Sequence, residues 1–372
     1  MSGDEIRKAE EIAKRDLRAC YENEGIIAGR HHFTDYWARD GLFAALGSLA
    51  IGDEEIVRKE IELFFSHQRA DGLIPYRIMR GPVSIGKYLG RTTRVYENPR
   101  PTYRLRGIGA EVLDGTTLSL LILGELAERG WREASKFAKP VEKALAYLEG
   151  REKDGLLQDG LMAEWNDSTY KRGALLYSNA IYWRALGSLA SLEGIGLLSR
   201  ENLLAKQKFL ARRIRDKLWN GRFFSDWYDW KRQDYFNSFC NLLLVAWGFT
   251  TDEEAEKILS EAEKSQISFT VENVAPWYPW WRVDVTNRII GLPDYHNALL
   301  WWQPGIAYAV ALAHEGRKSE ARQQMLLMSR QALKYGGFYE CYERTGLPVK
   351  RLVYKAERPF AWAAGMFLWA VD

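Results

Sequence analysis

Two acidic residues, far apart in the chain, stand in settings that suit proton transfer. The first is Asp167, in the run Asp159-Gly160-Leu161-Met162-Ala163-Glu164-Trp165-Asn166-Asp167-Ser168. Cleaving a glycosidic bond needs one carboxylic acid that stays protonated near neutral pH and delivers its proton to the leaving oxygen. Partial burial beside an aromatic raises a carboxyl pKa by disfavouring the charged form, and Trp165 lies two residues before Asp167. The second is Glu340, in Gly336-Gly337-Phe338-Tyr339-Glu340-Cys341-Tyr342-Glu343-Arg344-Thr345-Gly346. An inverting hydrolase needs a second carboxylate about 6.5–9.5 Å from the first, to activate water on the opposite face of the sugar. The competing readings are a solvated acidic turn around Asp167, and pairing of Glu340 or Glu343 with Arg344, Lys350 or Arg351.

Two further segments suit sugar recognition. Asp35-Tyr36-Trp37-Ala38-Arg39-Asp40-Gly41 opens an apolar helix. An adjacent cation and anion can hydrogen-bond several hydroxyls while an indole stacks beneath the ring; alternatively, Asp40 simply starts the helix. Asp294-Tyr295-His296-Asn297 precedes Trp301-Trp302, and His296 reads either as a ligand to a hydroxyl or as a capping or core histidine. No His/Cys/Asp/Glu cluster has metal-ligand spacing, and no phosphate-binding or dinucleotide glycine motif occurs. Neither a cofactor nor a metal is expected.

The elements that must position these residues are helices. The 3.6-residue periodicity predicts helices over 3–22, 41–51, 54–68, 114–129, 136–149, 174–193, 199–217, 237–248, 252–263, 297–315, 318–334 and 358–370. Asp53, Ser199 and Thr251 suit N-caps, and Gly130, Gly194, Gly248 and Gly316 suit C-termini. Connections alternate. Those at 52–53, 130–135, 194–198, 249–251 and 316–317 are short; those at 23–40, 69–113, 150–173, 218–236, 264–296 and 335–357 are long. Short strand pairings fit within 70–112 or 218–236. In up-down helical hairpins all odd-to-even connections emerge at one end. The reading is therefore an all-α fold, an (α/α)6 barrel of twelve helices with long loops on one face, forming one domain over 1–372. Function is expected on that face, because long ordered loops on a rigid scaffold usually carry it.

The distribution of tryptophan agrees. Of 15 Trp, Trp37, Trp165, Trp219, Trp227, Trp230, Trp277, Trp280 and Trp281 fall in the long loops, and Trp301 and Trp302 open the tenth helix. Loop packing can explain any one of them, but it does not explain why the set gathers on one face. With 52 basic and 49 acidic side chains the net charge is +3, which gives no electrostatic reason for a nucleic-acid or anionic-membrane partner. Cys20, Cys240 and Cys341 are odd in number and widely spaced, so no disulfide framework is expected. No apolar run reaches the ~18–20 residues of a membrane span. The charged N-terminus lacks the apolar stretch of a signal peptide, and a cytoplasmic location is expected.

Taken together, these motifs resemble the catalytic domain of the amylo-α-1,6-glucosidase (glycogen debranching) family and its relatives, the glucoamylases and the processing α-glucosidase/mannosylglycerate hydrolase family. Trp37-Ala38-Arg39-Asp40 resembles the W-x-R-D segment that holds the sugar in the −1 subsite. Residues 68–75, QRADGLIP, are similar to a Q-x-x-DGLIP stretch. Trp165-Asn166-Asp167-Ser168 resembles W-M-D-A, whose Asp is the general acid. Tyr295-His296-Asn297 with Trp301 resembles YHNG-x-VWP. Tyr339-Glu340-Cys341-Tyr342 with Thr345-Gly346 resembles E-N-Y-x-x-x-TG, whose Glu is the base. Phe360-Ala361-Trp362-Ala363-Ala364 is similar to the W-[ST]-A-A helix that follows. The matches keep the family's order from residue 30 to 370. The usual N-terminal β-domain or second catalytic domain is not seen in the sequence, and WNDS departs from WMDA, so Glu164 stands in reserve for the acid and Glu343 for the base.

The resemblance implies an inverting glycoside hydrolase acting on α-linked glucosides or oligosaccharides, with Asp167 as acid and Glu340 as base. Trp37, Arg39, Asp40, Trp165, His296 and Trp301 would hold the sugar, and the Trp277–Trp281 cluster would shape the outer subsites. The alternatives are a glycoside phosphorylase on the same scaffold, which keeps the acid and replaces the base with a phosphate site, and a non-catalytic carbohydrate-binding protein. A helical-repeat interaction protein would not need the Trp-rich loops. Linkage, sugar identity, chain length and oligomeric state are not encoded legibly.

Overall fold

The computed structural model describes residues 2–81, 96–192 and 199–372. Among them are twelve α-helices of nine or more residues: α1 Ser2–Arg18, α2 Ala38–Ala50, α3 Glu54–Ser66, α4 Asp114–Glu128, α5 Ala138–Glu149, α6 Leu176–Leu189, α7 Arg200–Leu218, α8 Ser238–Ala246, α9 Asp252–Lys264, α10 Trp302–His314, α11 Lys318–Tyr335 and α12 Ala361–Val371. A five-residue helical turn, Val285–Ile289, lies between α9 and α10.

The two sets of helices differ in composition and therefore in burial. The even-numbered helices carry apolar and small residues all round; α8, SFCNLLLVA, is buried over its first eight residues. A helix apolar on every face belongs in an interior. The odd-numbered helices show an apolar stripe and a charged face, as in α9, DEEAEKILSEAEK. Packing follows that division. Helix α2 packs on α4, α4 on α6, α6 on α8, α8 on α10, α10 on α12, and α12 returns to α2. The last contact is unusually close: a Cβ on Gly47 of α2 would fall 2.0 Å from the carbonyl oxygen of Gly365 in α12, so only glycine fits there.

The long connections lead into the N-termini of these inner helices, and short antiparallel pairings join one connection to the next. Tyr36–Trp37, before α2, pairs with Arg77–Met79, which also pairs with Arg100–Thr102. Ala174–Leu175 pairs with Trp227–Tyr228, Phe236–Asn237 with Val274–Ala275, and Leu300–Trp301 with Cys341–Tyr342. A bridge between Gly29 and Phe360 joins the first connection to the last.

These pairings explain where helix boundaries depart from periodicity. Periodicity predicts starts at 174 and 297, but residues 174–175 and 300–301 are drawn into strands first, so α6 and α10 begin later. Helix α2 begins earlier than 41, with extended Trp37 preceding it, which places Asp40 inside the first turn rather than at the cap. Ser199 caps α7 by accepting from the N–H of Asn202 (3.2 Å), and Thr251 forms a capping box with Glu254. Asp53 precedes α3 without capping it, because its carboxylate accepts from Arg18 and Tyr21. Gly130, Gly248 and Gly316 have positive φ; Gly194 and the turn 194–198 lie outside the described residues. Cys20, Cys240 and Cys341 are buried free thiols. Among the described residues no helix is long and apolar enough to cross a membrane, and no group of three or more His, Cys, Asp or Glu is placed to hold a metal ion.

Candidate active site

At the end where the long connections meet, a cavity of about 840 Å3 opens. Trp37, Arg39, Asp40, Trp165, Asp167, His296, Trp301 and Glu340 all line it. They come from five connections or helix starts separated by up to some three hundred residues. Trp165, Trp301 and Trp362 are at most 3% exposed and form the floor. Trp165 stands edge-on to His296, Trp301 and Trp362, with ring centroids 5.2–6.1 Å apart. His296 lies stacked on Trp301 (5.1 Å, 17°) and hydrogen-bonds Ser168 Oγ through Nδ1 (2.8 Å). Burial holds this imidazole well below its usual pKa, which favours its neutral form.

Arg39 is the electrostatic centre of one wall. Its Nη1 donates to Asp114 Oδ2 (3.4 Å) and to the carbonyl of Glu164 (3.3 Å), Nη2 lies 3.9 Å from Asp167, and Nε lies 3.9 Å from Asp40. One guanidinium thus faces three carboxyl groups. Burial pushes Asp40 up to about 7 and Asp114 up to about 6, with Arg39 opposing both shifts. Asp167 keeps 31% of its side-chain surface accessible. Burial raises its pKa from the ordinary aspartate value, against the pull of Arg39 and Arg106.

Glu340, 1% exposed, is held from three directions on the other wall. The hydroxyl of Tyr295 donates to Oε1; the hydroxyl of Tyr354 and the backbone N–H of Glu357 (3.1 Å) donate to Oε2. Burial pushes its pKa up to about 7, while those three donors favour the carboxylate and pull the value down. A group ionising near neutrality with preset donors is suited to accepting a proton.

The segment carrying Asp167 is fixed from below. Asp284 N–H donates to Ser168 O (2.8 Å), and Thr169 bridges Val283. Beneath it, Lys171 is fully buried between Glu164 and Asp226, 2.9 Å from the latter. Tyr278 and Asn237 also donate to Asp226 (2.6 and 2.8 Å). The two reserve residues are therefore committed elsewhere. Glu164 is ion-paired in the interior, and Glu343 is paired with Arg351 (2.9 Å); neither lines the cavity. Trp277, Trp280 and Trp281 do not line it either; they are 47%, 69% and 61% exposed. Trp302 is buried, its indole N–H donating to Tyr339 O (2.8 Å).

Sequence reasoning gave no role to Tyr295, Tyr354, Glu357, Asp114 or Lys171. Tyr295 sits next to His296, so adjacency could have flagged it. Asp114 opens a predicted helix and reads as a first-turn acid. Tyr354, in Val353-Tyr354-Lys355, carries no local signal: its importance comes from a contact with Glu340 made only on folding.

Neither a known protein-family model nor a curated protein sequence matches the chain. Solved structures share its fold. The family GH63 mannosylglycerate hydrolase of Thermus thermophilus, in complex with Tris, superposes with a TM-score of 0.70 at 15% identity, covering 98% of this chain and 100% of that one. The same hydrolase in complex with glucose gives 0.68 at 16%, with the same coverage. A rhamnosidase from Klebsiella oxytoca with rhamnose bound gives 0.66 at 16%, covering 98% of this chain and 63% of that chain.

Proposed function

We infer that this chain is an inverting glycoside hydrolase acting on α-linked glucosides or oligosaccharides, built as a single (α/α)6 barrel whose six even-numbered helices form the inner ring. The observation that carries the reading is the convergence of Asp167 and Glu340 on one cavity with an aromatic floor and a charged wall. The fold likeness supports it: the solved structures that superpose on the chain include glycosidases, among them a mannosylglycerate hydrolase with glucose bound. Trp37, Arg39, Asp40 and His296 hold the sugar above Trp165 and Trp301. Asp167, raised in pKa and open to the cavity, protonates the glycosidic oxygen as its bond to the anomeric carbon breaks. Glu340 takes a proton from the water that attacks that carbon from the opposite face. The two carboxyl groups then exchange protons with solvent, so no cofactor takes part.

The test is NMR of the anomer released from a panel of α-glucosides, with and without phosphate. First-formed β-glucose, independent of phosphate, is the expected product. Asp167→Asn should lose about 10²–10⁴-fold in turnover of ordinary glucosides yet retain activity on α-glucosyl fluoride, whose leaving group needs no proton. Glu340→Gln should lose both. Retention of configuration, or equal loss on both substrates in the two variants, would overturn the assignment.

A further inference from the structure

The cavity changes character along its depth. Its buried end carries Arg39, Asp40, Asp167, His296 and Glu340, groups that match hydroxyls. Its mouth carries aliphatic side chains that reach solvent: Leu352 is 101% exposed, Ile289 79%, Val353 54% and Ile290 40%, and all four line the cavity. Scattered exposed aliphatics need no explanation, but a group gathered at the opening of a site does.

The group is held in place. The two aliphatic pairs belong to different connections, and Arg351 joins them. Its guanidinium donates to Gly291 O (3.0 Å), beside Ile289 and Ile290, and to both carboxylate oxygens of Asp294 (2.6 and 2.6 Å). It also donates to Glu343 (2.9 and 2.9 Å), eight residues earlier in its own connection. Leu352 and Val353 follow directly. A bidentate arginine on two carboxylates fixes geometry as well as charge, so the exposed aliphatic surface is presented, not left over from a slack loop.

A second sugar unit at the mouth would need hydrogen-bonding partners that these four side chains lack. We propose that the mouth is an aglycone site, and that the substrates are glycosides whose leaving group is apolar, alkyl or aryl, with the sugar in the polar end. The inference rests on the glycosidase reading for its orientation, but the apolar site can be tested without turnover.

The experiment compares methyl and octyl 1-thio-α-glucosides, which resist hydrolysis, by calorimetric binding, alongside kcat/KM for methyl and octyl α-glucosides. A fully buried methylene strengthens binding about fourfold; at an open rim that covers about half of each one the gain is about twofold over the first few carbons, so the octyl compound should bind at least tenfold more tightly. In Leu352→Ser/Ile289→Ser the octyl-to-methyl ratio should collapse toward one, with the melting temperature serving as the folding control. Tighter octyl binding without hydrolysis of any glucoside, fluoride included, would sink the hydrolase reading and leave the apolar site standing. Equal binding of the two thioglucosides, no binding of either, or a ratio untouched by the substitutions would overturn the site. So would a dimer that dissociates on Leu352→Ser, since the same side chains would then belong to a subunit interface.

Discussion

Glu357 donates its backbone N–H to Oε2 of Glu340 (3.1 Å), and Glu340 returns its own N–H to the carbonyl of Glu357 (2.9 Å). The exchange links the proposed base to a second, wholly buried carboxylate with a different task. The side chain of Glu357 accepts the N–H groups of Arg30 (3.2 Å), His31 (2.9 Å), His32 (2.8 Å) and Phe33 (3.0 Å). One glutamate thus ties the first long connection to the last, on the side of the cavity where Phe33 and Glu340 stand.

Glu357→Ala would strip an acceptor from five backbone donors, those four and the N–H of Arg358 (3.2 Å). A buried donor left unsatisfied costs about 1–3 kcal/mol, so this variant should fall several kcal/mol in unfolding free energy. Glu357→Gln keeps one acceptor oxygen and should fall between it and the parent. Chemical denaturation of the three proteins checks the order. Equal midpoints would mean that the 30–33 turn is held by something other than Glu357.

The pH profile should report the two tyrosines on Glu340. A base at Glu340 must be ionised to work, so on the proposed mechanism activity should fall on the acid side as Glu340, near 7, takes up its proton. The hydroxyls of Tyr295 and Tyr354 favour the charged form. Removing one, in Tyr354→Phe, weakens the carboxylate relative to the acid and moves the acidic limb of kcat/KM to higher pH, by about one unit for a charge-assisted bond of about 1.4 kcal/mol. Tyr295→Phe should move it the same way. A limb that stays in place in both variants would show that the limb belongs to another group.

The residues that gather at the candidate site are legible in the chain because they sit beside strong local signals. Asp167 follows a loop tryptophan, Arg39 and Asp40 open an apolar helix, and Glu340 lies among aromatics before a turn. Helix existence was equally legible, since apolar periodicity is a local property. Boundaries were less so: two-residue pairings such as Leu300–Trp301 with Cys341–Tyr342 depend on contacts made across the fold. The same limit hides Tyr354 and Glu357, whose partners lie 14 and more than three hundred residues away. It also explains the exposed Trp280 and Trp281, because a loop's composition does not say which way its indoles face.

Lys171 tests how the proposed acid, Asp167, is positioned. Its ammonium is buried between Glu164 and Asp226, and burial, which disfavours its charge, is overcome by those two carboxylates. Removing one partner of a buried ion pair typically costs about 3–5 kcal/mol, because the remaining charge is left uncompensated. Lys171→Met should therefore destabilise by about that amount and, four residues from Asp167, lower kcat more than it raises KM. Adding Glu164→Gln should recover part of the stability by removing an orphaned charge. If the double variant is no more stable than Lys171→Met alone, the network does not work as a charge-compensated unit.

Glu60 makes stability itself depend on pH, away from the cavity. It is fully buried on α3; Oε2 accepts from the N–H of Ile26 (2.6 Å), and Oε1 has no partner. Gly25 and Gly41 make room for it, since a Cβ at either would sit 1.9 or 2.1 Å from its carboxylate oxygens. Burial pushes Glu60 up to about 8, with the Ile26 N–H opposing. A carboxyl whose folded pKa exceeds its unfolded value binds its proton more tightly when folded. Its contribution is therefore complete below the ordinary value of 4.5 and is lost as the pH climbs through about 8. Over that window the loss amounts to a few kcal/mol. Asp40, Asp114 and Glu340, also raised, act in the same direction, so the parent alone does not isolate Glu60. The difference between Glu60→Gln and the parent does, because glutamine stays neutral. Urea unfolding at pH 5 and pH 8.5 should show the variant gaining on the parent at the higher pH. Parallel stabilities at both values would mean that Glu60 is already charged in the folded protein, with a counter-charge that its surroundings supply.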